Sequence, residues 1–168
     1  KEVIKTTREL IDEGKLAGLI IKPIFIKYPE AECKEAKGLD YQGELSFIMD
    51  NEFRNRCITN FAILSAKEGT VMVLFQYIDK HLKVLAEQIK AKAAKHGIPV
   101  YEFHGVVSPD ERERIRKLAN EQNCILLCSY QVAQQGINIP NIATVIFAAP
   151  SKSAIRVLQS IGRGLRLF

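Results

Sequence analysis

Val71-Met72-Val73-Leu74-Phe75-Gln76 is apolar for five residues and polar at the sixth, with Gly69 two residues before it. A short apolar run rich in β-branched residues, bounded this way, reads as a strand buried on both faces. The period then changes. Over residues 78–96, Leu82, Leu85, Ala86, Ile89 and Ala93 recur at helical spacing, and Gly97 is well placed to end the helix. The same alternation continues outward. Residues 100–103 read as a second strand. Ser108-Pro109-Asp110-Glu111 is a capping box with proline at the first helical position, so a helix is expected from there to about Asn120. Residues 124–128 read as a third strand, 144–149 as a fourth, and 153–161 as a last helix. Strands separated by helices predict an α/β domain of three layers, α/β/α, with a mostly parallel central sheet. Ligands of such sheets bind in loops beyond the strand C-termini, which begin here at Gln76, His104, Ser129 and Pro150.

Upstream, the first 68 residues form an entry segment of the same domain. A short helix is expected over 6–14, a strand over 19–28, a polar connection over 29–38, and helix in two pieces over 44–66. There is no internal repeat, no low-complexity stretch and no linker that would divide the chain. A length of 168 residues suits one domain. No apolar run approaches the ~20 residues of a membrane span. The start, Lys1-Glu2-Val3-Ile4, has neither an initiator Met nor an apolar leader core. The end falls directly after a basic motif, and the chain reads as a piece of a longer, cytoplasmic protein. The four cysteines form no CxxC pair. Cys124 and Cys128 share one face of a strand, and buried reduced thiols are expected rather than a metal site.

Charge is distributed unevenly. Residues 1–121 carry 20 basic and 19 acidic side chains; residues 122–168 carry no Asp or Glu, leaving Lys152, Arg156, Arg163 and Arg166 unopposed. Such a surface should meet anions, phosphate first. Within it, Gln159-Ser160-Ile161-Gly162-Arg163-Gly164-Leu165-Arg166 places two guanidiniums three residues apart beside two glycines. Arginine suits phosphate because its planar fork donates in pairs and keeps its charge. A solvated basic helix end would have the same composition. Elsewhere, His81 and His96 read as helix-surface residues. The lysines of residues 80–95 read as a solvated face, and Arg112, Arg114, Arg116 and Lys117 as i,i+4 partners of nearby acids. His104 reads as a loop residue contacting backbone or a packed histidine rather than as a general base.

In order and spacing, these segments resemble the C-terminal half of a superfamily 2 helicase, from about residue 10 to residue 168. Phe75-Gln76 resembles motif IV, His104-Gly105 the step after it, 129–138 motif V, and 159–166 motif VI. The stretch 152–163 is similar to that of phage UvsW-type DNA helicases. The resemblance implies a RecA-like fold and the following roles. Arg163 and Arg166 would act as arginine fingers on the γ-phosphate of ATP, where such groups are worth ~10³–10⁵ in rate. Gly136, Asn138, Gln159 and Gly162 would line the nucleotide cleft. Gln76, His104, Gly105, Ser129, Tyr130 and Gln131 would face a nucleic-acid backbone. Asn138 stands where many members carry Asp, Ser129 where many carry Thr, and Gln134-Gln135 where many carry Ala-Arg.

No GxxxxGK[ST] loop occurs, and Asp110-Glu111 sits in a capping box rather than after a strand. ATP and Mg²⁺ are therefore expected to be held mainly by a preceding RecA-like domain, without which this stretch should not hydrolyse ATP. The expected partner is DNA, single-stranded or branched, with no membrane. An RNA helicase, a duplex-translocating motor and a non-catalytic nucleic-acid-binding module are the alternatives.

Overall fold

A computed structural model describes Glu9, Asp12, Glu13, residues 20–134 and residues 139–149. Four strands form one sheet: β1 (Thr70–Phe75), β2 (Val100–Phe103), β3 (Ile125–Ser129) and β4 (Ile142–Phe147), in the order β2-β3-β1-β4. Every pairing is parallel. The central pair, β1 and β3, is buried along its whole length, as expected of apolar runs covered on both faces.

Alternation along those two strands sends side chains to opposite cores. On one face, Val71, Val73 and Phe75 with Ile125 and Leu127 pack against Ile58, Ala62 and Ile63 of α3 (Glu52–Ser65) and Leu85, Ala86 and Ile89 of α4 (Lys83–Ala94). On the other, Met72, Leu74, Leu126 and Cys128 meet Ile115 and Ala119 of α5 (Pro109–Glu121) and Val132 and Ala133 of α6 (Tyr130–Gln134). Helices thus cover both faces, and the α/β/α layering matches the expectation. Full burial of each Leu, Ile or Val side chain contributes roughly 1.5–3 kcal/mol.

Local signals set several boundaries. Gly97 adopts φ 65° just past α4, a left-handed turn that glycine reaches without strain. Ser108 Oγ accepts from the Glu111 amide at 3.3 Å and Pro109 opens α5, so the serine half of the expected capping box is present, while the Glu111 carboxylate pairs with Arg114. Asn51 ends α2 (Tyr41–Asp50) and caps α3, accepting from the Arg54 amide at 2.9 Å, so the two-piece helix is present from Tyr41 onward. At Gly69 an added Cβ would lie 2.5 Å from the Ala143 Cβ, a close approach beside the register shift at Thr70/Val71.

Three expectations for the elements and their ion pairs differ from the structure. Residues 20–29 are not a strand. Pro23 offers no amide for a ladder, and Ile20 and Phe25 are 81% and 88% exposed. The presumed polar connection over 29–38 contains α1 (Glu30–Ala36), whose mixed charge is an i,i+4 pattern with Lys34 3.0 Å from Glu30. The α5 arginines pair at i,i+3 instead of i,i+4, Arg114 with Glu111 and Arg116 with Glu113, each at 2.7 Å. The expected helix over 6–14 is described only at Glu9, Asp12 and Glu13, where the Glu13 amide donates to the Glu9 carbonyl at 2.9 Å. The helix expected over 153–161 lies outside the described residues.

Candidate functional site

Parallel register brings the strand C-termini to one edge. Phe75 lies opposite Ser129, Phe103 opposite Cys128, and Leu74 opposite Phe147. Neighbouring strands are about 4.8 Å apart, so the residues that follow them form a row. His104 leaves β2, Ser129 and Tyr130 lie at the end of β3, Gln76 follows β1, and Ala148 follows β4.

His104 is buried, with Nε2 3.0 Å from Glu102 Oε2. Glu102 also accepts from the Lys90 ammonium of α4. The Lys90 hydrogen bond, and after it that of His104, holds the Glu102 carboxyl below the usual carboxylate range. The Val107 amide donates to the His104 carbonyl at 3.0 Å, closing a turn that leaves Gly105 and Val106 exposed at its tip. A Cβ at Gly105 would meet nothing within 4 Å. The surrounding protein therefore leaves room for a side chain there; a bare backbone permits close approach from outside.

Ser129 Oγ accepts from the Val132 amide at 3.4 Å and thereby caps α6. Gln131 is exposed. Tyr130 is only 3% exposed and donates its hydroxyl to the Ala149 carbonyl at 3.0 Å, with its ring 6.3 Å from that of Phe147. The Tyr130 side chain is thus not presented outward as a strand-gripping group must be; only its main chain lies at the edge. Gln76 is half-buried.

Two further polar groups lie at this edge, Arg54 half-buried and His81 buried. Arg54, in the first turn of α3, donates through Nη2 to the Ala148 carbonyl, while its Nη1 is buried without a hydrogen-bond partner. Burial lowers the Arg54 pKa, against the smaller opposing effects of Tyr28 and Tyr130. His81, expected on a helix surface, is instead 1% exposed, and neither ring nitrogen has a partner. It stands edge-on to Phe75, ring centroids 5.1 Å apart. Burial pushes its pKa down to about 4, helped by the charge of Arg54, so the imidazole is neutral near pH 7. Its place follows from the helix phase. His81 lies four residues before Leu85, in a π-helical turn (Ile78–Leu82) that carries both His81 and Leu82 inward.

Cys124, just before β3, and Cys128, within it, are free and buried in the same core, as expected, and burial raises both thiol pKa values. Cys33 is exposed and Cys57 half-buried. Gly136, Asn138, Gln159, Gly162, Arg163 and Arg166 lie outside the described residues. Among the described residues no cluster of three or more His, Cys, Asp or Glu could hold a metal ion, and no helix is long and apolar enough to cross a membrane.

Residues 54–167 match the model of the helicase conserved C-terminal domain. The chain is 36% identical to the ATP-dependent DNA helicase UvsW of Enterobacteria phage T4 over 163 residues, which is 96% of this chain and 32% of that protein. It spans, then, about a third of that relative's length. A putative ATP-dependent RNA helicase of Methanocaldococcus jannaschii is 31% identical over 103 residues, 60% of this chain and 13% of that protein. The crystal structure of T4 UvsW superposes with a TM-score of 0.68 at 33% identity, covering 81% of this chain and 27% of that one. The parallel sheet flanked on both faces is accordingly the RecA-like fold of those helicase domains, and the chain belongs to the helicase conserved C-terminal domain family.

Proposed function

We propose that this domain is the C-terminal motor half of an ATP-dependent superfamily 2 DNA helicase, working against a preceding RecA-like domain of the same protein. The observation that carries the reading is the alignment of Gln76, His104-Gly105 and Ser129–Gln131 on one edge of a helicase-family sheet. Gly105, with open space where a side chain would be, and exposed Gln131 suit contacts to a sugar–phosphate backbone. Such contacts position a strand without reading its sequence, and they weaken with salt.

In this reading Arg163 and Arg166 reach the γ-phosphate of ATP across the domain cleft and stabilise charge on the transferring phosphoryl group. Gly136, Asn138, Gln159 and Gly162 border the same nucleotide, and Mg²⁺ is held mainly by the preceding domain. The bound nucleotide draws the cleft closed and its hydrolysis releases it, while the edge loops shift along one strand. By itself this domain lacks the loop that holds ATP and is inactive. The working protein is cytoplasmic.

DNA is preferred over RNA because the relative named as a DNA helicase matches 96% of the chain, and the one named as an RNA helicase 60%. Unwinding of matched DNA and RNA forks by the full-length protein tests this. ATP-dependent separation of the DNA fork, with the RNA fork left intact, is expected. Separation of RNA alone would replace the reading with the RNA one, and neither strand opening would leave a translocating or non-catalytic role.

A further inference from the structure

The outer strand β2 changes character as it reaches the functional edge. Val100 packs against the core under α3 and α4. Glu102 and His104 follow at alternate positions on that face, and Glu102 stands opposite Leu127, a member of the same core. Two polar side chains therefore continue an apolar row, and both are paired. Glu102 Oε2 accepts from His104 Nε2 at 3.0 Å, and Glu102 Oε1 accepts from the Lys90 ammonium of α4.

The pairing fixes more than a distance. Lys90, and after it His104, keeps the Glu102 carboxyl below the usual carboxylate range, and an ionised carboxylate can only accept. The proton between Glu102 and His104 therefore sits on Nε2, which sets the ring's orientation and, in the neutral ring, its tautomer. His104 is 6% exposed and its Nδ1 has no hydrogen-bond partner among the described residues, so the ring is held through Glu102. The main chain of the same residue closes the turn, where its carbonyl accepts from the Val107 amide and Gly105 stands exposed at the tip. With Lys90 and Glu102 side chains 47% and 33% exposed, their ion pair adds little to stability. Stability alone thus gives no reason for a carboxylate in an apolar row.

We propose that Glu102 is a positioning residue for strand binding. Held on its far oxygen by Lys90, it locks the His104 ring, and the ring anchors the 104–107 turn that offers Gly105 to a nucleic-acid backbone. A turn already held in its bound shape loses less conformational freedom on binding, so the lock acts on affinity. The assignment to strand binding rests on the proposed contact of His104-Gly105 with the strand; the lock itself does not.

Glu102→Leu, which suits the apolar row and removes both hydrogen bonds, tests this in the full-length protein. Amide hydrogen exchange over residues 104–107 is expected to quicken. The single-stranded DNA concentration giving half-maximal ATPase is expected to rise about tenfold, with kcat at saturating strand within about twofold. Glu102→Gln should rescue both effects, since its amide oxygen can accept from Lys90 while its NH2 donates to His104 Nε2. The proton of the neutral His104 ring then moves to Nδ1, as nitrogen-15 NMR of the imidazole reports; a proton remaining on Nε2 overturns the lock. Should Glu102→Leu fail to fold, Lys90→Met, which frees one carboxylate oxygen, carries the exchange and DNA readouts at smaller size. Unchanged exchange in a folded variant overturns the lock. Faster exchange with unchanged DNA dependence overturns the positioning role and leaves Glu102 purely structural. A fall in kcat in place of affinity, or a Gln variant as impaired as the Leu one, overturns the proposal. Gly105→Leu measured alongside separates the two ideas, because the open space there admits a side chain that would obstruct a strand. If that variant binds single-stranded DNA as the wild type does, the contact reading fails, while the exchange data still decide the lock.

Discussion

A buried imidazole with neither nitrogen hydrogen-bonded makes a core sensitive to acid, and His81 is such a group. In the unfolded chain it titrates near 6.5, and in the folded protein near 4. Between those values the unfolded state binds more protons, so stability is fully present above pH 6.5 and falls as the pH drops toward 4. The linked loss is about 3 kcal/mol. Urea melts at pH 7 and pH 4.5 should reveal most of it, and His81→Phe should flatten the difference, since phenylalanine cannot charge beside Arg54. An equal acid loss in that variant would place the sensitivity elsewhere. Single residues were the hardest part of the sequence to read. A histidine four residues before a core leucine is itself a signal for an inward position. Arg54 gave none, because its partner is a carbonyl 94 positions away. The resemblance assigns Tyr130 to the strand-binding loop, and only packing reveals that its side chain turns inward.

Elements were far more legible, because strands and helices of this sheet carry opposed periods. The apolar runs at 71–75 and 125–128 could be buried only between two helical layers, and they are. The capping box at Ser108 located the start of α5 to the residue. There the hydroxyl satisfies one otherwise unpaired amide, so Ser108→Ala should cost about 1 kcal/mol in a denaturant melt and leave strand binding unchanged. No measurable cost would mean that Pro109 and the first-turn acids suffice. The strand expected over 19–28 is not formed by residues 20–28. Composition registers hydrophobicity but not whether a sheet edge is at hand to accept the ladder, and Ile20, Ile21, Ile24 and Phe25 remain exposed. At 29–38 the opposite error arose, since alternating charges that suggest a loop also fit one short helix held by a Glu30–Lys34 pair.

At the scale of the whole molecule, topology converts scattered motifs into one edge. Gln76, His104-Gly105 and Ser129–Gln131 are separated by tens of residues, yet parallel register sets them side by side. Their order along the chain was enough to suggest this, because parallel strands joined by helices must all end on the same side. The convergence of α3, β1 and α6 on Ala148 and Ala149 was not legible, since two alanines carry no sequence signature for it. In the proposed function, the acid-free stretch 122–168 divides its labour between strand contact near Ser129 and phosphoryl-charge stabilisation at Arg163 and Arg166. The second half is the central claim, and Arg163→Ala in the full-length protein tests it most directly. Nucleic-acid-stimulated ATP hydrolysis should fall by ~10³-fold or more while single-stranded DNA binding is retained. ATP hydrolysis at the wild-type rate in that variant would contradict the account.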